Sequence, residues 1–196
     1  LLVVYLFAVF SDKPINHQYM SFFTKLLGNE PQPETDLSTL LANENFTAFL
    51  NQVEDISIGN SELRFVKATS IEEVQLDYRK CPHGQSFTGK KPGDWKKNWI
   101  VIAKDDLGEP IFVDCAHCDL PVYTAPDWET HWKEIRIASS LGNFKQILEE
   151  ILKLKTSNED SPIEEAKVDD FLEKIKAGNK RIDLEFWEDF LLNYGD

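Results

Sequence analysis

Three cysteines and two histidines fall in two short clusters, Cys81-Pro-His83 and Cys115-Ala-His117-Cys118. Thiolates and imidazoles are the ligand types that a tetrahedral zinc site needs. The spacing argues against one. Cys115-x-x-Cys118 sits in a short loop between two apolar runs, and Cys81 has no second cysteine at knuckle spacing. No helix start follows Cys118 to lower a thiol pKa, so thioredoxin-type redox chemistry is not expected either. Cys81, His83, Cys115, His117 and Cys118 are therefore the candidate ligands, and the expectation is small thiols in turns, with no metal and no cofactor.

Other chemistry fares no better. Gly84-Gln-Ser-Phe-Thr-Gly89-Lys-Lys91 approaches a phosphate-binding loop, but Lys91 stands where Mg²⁺ coordination requires Ser or Thr. No Gly-x-Ser-x-Gly elbow offers a nucleophile. His131 with Asp127 or Glu129 is a conceivable acid–base pair in a polar loop, with no nucleophile to serve. The expectation is a protein that is not an enzyme. Trp128 and Trp132, four apart in the same loop, are either satellite core or, if exposed, an anchor for a protein partner with Asp127 and Glu129 as its charged rim.

The elements that must position these residues centre on Asn98 to Thr124. Trp99-Ile-Val-Ile-Ala103 is a short apolar run rich in β-branched residues, which predicts a strand covered on both faces. Lys104 to Gly108 supplies turn chemistry, and Ile111-Phe-Val113 is the return strand, with Pro110 tolerable at its start. Leu120 to Thr124 completes a three-strand meander. Leu63 to Lys67 and Val74 to Tyr78 alternate as half-buried strands, and Ile135 with Ile137 fits one more. Lys80 to Lys97 and Ala125 to Glu134 are expected as surface loops, and Ile56 to Ser61 as a turn through Gly59 and Asn60.

Helices are expected at four places. One stripe runs from Leu37 to Leu50 with Asp36 as its cap, and another from Leu141 to Leu154 behind Ser139 and Ser140. Ser161-Pro-Ile-Glu164 reads as a capping box opening a helix that stops at Gly178, and Asp183 caps a last one carrying Phe186, Trp187 and Phe190. The fold class is α+β: an antiparallel sheet of about five or six strands, helices on one face, and two carboxy-terminal helices. The expected organisation is an apolar extension over 1–19 that is not native, a domain over 20–156, and a helical appendage over 157–196 docked on it. Met20 is the only methionine and is taken as the native start.

The run Trp99 to Asp105, then Gly108 to Asp114, then Leu120-Pro-Val-Tyr123, followed by Ile137-Ala-Ser-Ser-Leu141 and Phe144, resembles the core of the SUKH superfamily. These are bacterial relatives of the fungal Smi/Knr cell-wall regulators, and the resemblance spans residues 97–154. It implies a cytoplasmic immunity protein that holds a secreted polymorphic toxin inactive by stoichiometric binding. The alternative it implies is a regulatory scaffold of the fungal type. A metal-dependent module built on Cys81, Cys115 and Cys118 is the rival from another class.

Charge is consistent with a binding role. The formal net charge is −13, which argues against a nucleic-acid binder, since that needs a basic stripe. Residues 29–63 hold seven acids and no base, and residues 127–196 hold seventeen acids against ten bases. Residues 64–97 run the other way, with eight bases and four acids. Such single-sign stretches steer a partner of opposite sign. Leu1 to Phe10 is ten apolar residues, short of the roughly 20 that cross a bilayer, so no membrane partner is expected. Three cysteines are too few and too odd in number for a disulfide framework, which points to a reducing compartment.

Overall fold

Six strands run antiparallel in the spatial order β1-β2-β3-β4-β5-β8. They are β1 (Ile56–Ile58), β2 (Ser61–Phe65), β3 (Trp99–Asp105), β4 (Pro110–Asp114), β5 (Val122–Thr124) and β8 (Ile135–Ala138). This arrangement comes from a computed structural model that describes residues 37–80, 86–128, 131–158 and 161–193, with backbone alone at 127 and 128. All of them fall in one unit, Glu34–Asp196. Among the described residues there are six helices: α1 (Leu37–Leu41), α2 (Glu44–Gln52), α3 (Ile71–Arg79), α4 (Leu141–Asn158), α5 (Glu165–Gly178) and α6 (Glu185–Leu192). The fold is α+β. Residues 1–19, Met20, Asp36, Cys81, His83 and Glu129 lie outside the described residues.

The pleat divides β3 to β5 between two cores. Ile100, Ile102, Ile111, Val113 and Val122 face the larger one, while Trp99, Val101 and Phe112 face a smaller aromatic one. Alternation of side chains across a strand requires this split once both faces are covered. On the larger face, Phe49 of α2, Phe65 of β2 and Phe144 of α4 form a triangle of rings with centroids 6.2 to 6.4 Å apart. Val168 and Phe171 of α5, and Trp187 and Phe190 of α6, belong to the same core.

The sheet edge at β8 is closed by the segment leading into α6. Asp183 donates its backbone N–H to the Arg136 carbonyl at 2.7 Å, and the Trp187 indole donates to the Ile137 carbonyl at 2.8 Å. An edge strand left open would template pairing with another chain, and these two bonds occupy two of the β8 carbonyls. The Asn179 amide adds a second tie, accepting from the Ser139 backbone N–H at 3.0 Å while donating to the Ile175 carbonyl at 2.9 Å.

Several expectations are corrected. Val74 to Tyr78 is not a strand but part of α3. Val74, Leu76 and Tyr78 do alternate, yet Ile71, Gln75 and Tyr78 are the buried positions, spaced by four and three as one helix face. Glu72 and Glu73 in its first turn and Arg79 in its last complement the helix dipole. α3 runs along β3, with Ile71 in the larger core, Tyr78 in the aromatic one and Gln75 bonded to the Val101 main chain between them. Leu37 to Leu50 is two helices, because the Asn43 side chain accepts from the backbone N–H of Asn45 and Phe46 and starts a new one.

Ile56–Ile58 is a strand in its own right, hairpinned to β2 through Gly59 at φ +53°. Ala125 to Glu134 holds a two-stranded ribbon, β6 (Asp127–Trp128) with β7 (His131–Trp132). The helix expected from Ser161 begins only at Glu165. Ile163 turns into the core and Glu164 stays extended at ψ 135°, so proline stands before the helix rather than in its first turn.

Candidate functional site

The aromatic face of the sheet is covered by α3, by segment 86–98 and by the β6–β7 ribbon. Trp95 is at its centre and fully buried. Its ring stacks on Tyr78 at 5.4 Å and meets Phe112, Trp132 and Trp99 at 5.0, 5.1 and 5.2 Å. Aromatic pairs at such centroid distances add about 0.5–1.5 kcal/mol each beyond area burial. The Trp95 indole N–H has no acceptor. The sequence places Trp95 in a polar loop. A tryptophan among lysines and glycines was the signal that the segment folds back onto a core.

Segment 86–98 is held at both ends. The Phe87 N–H donates to the Arg79 carbonyl at 2.9 Å, and the Trp95 N–H donates to the Phe87 carbonyl at 3.0 Å. Asp94 accepts from the Lys91 backbone N–H at 2.7 Å, which turns the chain between them. The Gly93 carbonyl then accepts from the Trp132 N–H at 3.0 Å and ties the segment to the ribbon. Gly93 has φ +87°, and a Cβ there would meet the His131 ring at 2.5 Å. Glycine is required here twice over, for its backbone and for the close approach.

The expected partner-binding residues divide. Trp132 is half-buried and packs on Trp95 and Tyr78, so it stakes the ribbon to the core. Asp127 and Trp128 pair with Trp132 and His131 as backbone ladder. His131 is exposed.

The candidate metal ligands scatter among the described residues. Cys115 is buried against the larger core, and burial pushes its thiol up to about 12, helped by the Asp114 carboxylate and opposed by Arg79. Cys118 and His117 are exposed. Their loop is organised by Asp114, whose carboxylate accepts from the Ala116 N–H at 2.9 Å and from the Asn98 amide, and lies 3.8 Å from the His117 imidazole. Among the described residues no three His, Cys, Asp or Glu side chains converge as a metal site would need.

Buried polar groups hold backbone. Gln75 binds both main-chain groups of Val101, and the Tyr78 hydroxyl donates to the Gly108 carbonyl at 3.0 Å. Asp105 accepts from the backbone N–H of Glu109 and Leu107 at 2.8 and 3.0 Å and closes the β3–β4 turn. Burial still raises its pKa, because desolvation outweighs those bonds.

Charge is sorted over the surface. Within α5 and α6, Glu165, Asp169, Asp170, Glu173, Glu185, Glu188 and Asp189 are all exposed, against three lysines. Across the sheet, residues 86–97 hold four lysines and one acid. Among the described residues no helix is long and apolar enough to cross a membrane.

Comparison with protein-family models, curated proteins and solved structures gives no match in any of the three.

Proposed function

We propose that this chain is a binding protein of the SUKH immunity type, acting in the cytoplasm by stoichiometric association with a basic toxin and without turnover. The observation that carries the reading is the sorted charge: seven exposed acids on α5 and α6, on a chain of net charge −13. A surface of one sign raises the encounter rate of an oppositely charged partner by a factor on the order of 10 to 1,000. An interface of about 1,600 Å² then suffices to cover an active site without any chemistry on this side.

Two further features support it. The buried polar groups Gln75, Asp105 and Asn179 are committed to backbone, as in a rigid scaffold. The order of β3, β4, β5 and α4 accords with the resemblance in residues 97–154. Trp128 and Trp132, with Asp127 and Glu129, are the contact residues we assign; Trp132 packs on the face opposite α5 and α6, so the acids of those helices steer the partner and do not line the contact. Trp132 is pinned against Trp95, and a side chain already ordered loses less entropy on binding than a free one.

Co-expression with a toxin encoded beside the gene, followed by pull-down and growth rescue, tests the proposal. Rescue with a one-to-one complex is expected. Wild-type protein that neither binds nor protects would reject it, as would turnover of a small substrate lost on changing His131 or Cys115.

A further inference from the structure

Leu107, at the tip of the β3–β4 turn, is 79% exposed, the most of any large apolar side chain among the described residues. The turn beneath it is fixed from several directions. The Leu107 and Glu109 N–H groups donate to the Asp105 carboxylate at 3.0 and 2.8 Å. The Asp105 N–H donates to the Glu109 carbonyl at 3.0 Å, and the Gly108 N–H to the Asp105 carbonyl at 3.1 Å. The Tyr78 hydroxyl, from α3, donates to the Gly108 carbonyl at 3.0 Å. Asp105 and Tyr78 are both buried, so two interior polar side chains hold the turn that presents Leu107 to water. A single exposed leucine is ordinary, but one carried on so fixed a turn loses little loop entropy when a partner covers it.

Tyr78 also joins this turn to the contact residues assigned above. While its hydroxyl reaches Gly108, its ring meets the Trp132 ring at 5.9 Å. The turn and Trp132 therefore flank one side chain, and an interface of about 1,600 Å² that takes in one reaches the other. The charge beside Leu107 is negative. Asp106 is exposed next to it, while Lys104, the one cation of the turn, is paired with Asp77 at 3.3 Å and sits over the Tyr78 ring at 5.2 Å.

We propose that Leu107 is an anchor of the same contact: it fills an apolar pocket of the bound toxin, and Asp106 meets a cation on the rim of that pocket. This rests on the immunity reading and extends its contact from Trp132 to the β3–β4 turn. An apolar knob with an acid at its side fits a basic partner by both shape and sign.

The test measures binding kinetics of the full chain with an inactivated form of the toxin encoded beside the gene, at low and physiological salt. Leu107→Ala is expected to weaken binding at least about tenfold, mostly through faster dissociation. Asp106→Lys is expected to slow association, most at low salt. Both side chains lie in water, so both variants should keep the wild-type melting curve. Leu152→Ala, on α4 and 45% exposed, is the control and should bind as wild type does. A photoreactive benzoylphenylalanine in place of Leu107 should crosslink to the toxin, and one in place of Leu152 should not. Wild-type binding with Leu107→Ala equally tight, or an equal loss in Leu152→Ala, would overturn this inference and leave the immunity reading standing. A wild-type protein that does not bind the toxin would overturn both.

Discussion

Gln75 and Val101 are joined by two hydrogen bonds: the Val101 N–H donates to Gln75 Oε1 at 2.8 Å, and Gln75 Nε2 donates to the Val101 carbonyl at 3.1 Å. β2 ends at Phe65, opposite Ala103, so the first half of β3 runs on without a β2 partner. A side-chain amide from α3 takes the place of the missing strand. The same Nε2 also donates to the Ile71 carbonyl at 2.9 Å, which fixes the side chain on its own helix.

Replacing Gln75 by Leu keeps the volume but strands both Val101 groups in the interior. A loss of about 2–6 kcal/mol is expected, since each of the two unsatisfied buried groups costs about 1–3 kcal/mol. Urea unfolding of the variant measures it. Gln75→Glu keeps an acceptor for the N–H but no donor for the carbonyl, and should also be destabilised near neutral pH.

Gly93→Ala tests the join between segment 86–98 and the ribbon. A positive φ costs a side chain roughly 1–2 kcal/mol, and the clash with His131 adds to it. The expected signature is local: early loss of Trp132 fluorescence or amide protection while the larger core still melts cooperatively. Gly108→Ala, at φ +84° with nothing near its Cβ position, should show the backbone cost alone.

Trp187 closes the β8 edge and fills the larger core at once. Trp187→Ala should cost about 3–5 kcal/mol from the cavity, and Trp187→Phe should cost less while opening the Ile137 carbonyl. Thermal unfolding reads the first. Concentration-dependent aggregation of the second, followed by light scattering, reads the exposed edge.

Burial makes Cys115 a poor nucleophile and leaves Cys118 in water. Alkylation of the folded protein near pH 8 should modify Cys118 fast and Cys115 only at the rate of opening. Peptide mass spectrometry distinguishes the two. Equal rates would contradict the buried placement of Cys115.

Asp105 contributes a pH dependence to stability. Its folded pKa is raised above the ordinary 3.8 by burial, so the folded state holds this proton more tightly than the unfolded one. Its contribution to stability therefore grows as pH falls from the raised value toward 3.8. Asp105→Asn keeps an oxygen for the Leu107 and Glu109 N–H groups without a buried charge. The stability difference between variant and wild type should shrink as pH is lowered through that interval, measured by denaturant midpoints. A difference independent of pH would refute the raised value.

The meander was written in local chemistry. Trp99 to Ala103 is apolar and β-branched, Gly108 and Pro110 punctuate it, and Ile111 to Val113 returns, so strand, turn and strand follow from neighbours in the chain. The face of α4 was legible for the same reason, with Phe144, Ile147, Leu148 and Ile151 at helical spacing. Val74 to Tyr78 was not. Its alternation and its helix period coexist in nine residues, and only packing decides which side chains go inside; Tyr78 against Trp95 and Gln75 against Val101 chose the helix. Segment 86–98 shows the same limit, because polar residues write a loop while one buried tryptophan, satisfied by rings from three distant elements, folds it onto the sheet. Charge, too, was countable residue by residue, but its sorting onto two sides required the sheet that separates α5 and α6 from the carboxy end of α3. Local propensity and period act over a few residues; burial and opposition are properties of chain segments far apart in sequence, and they exist only once the chain is folded.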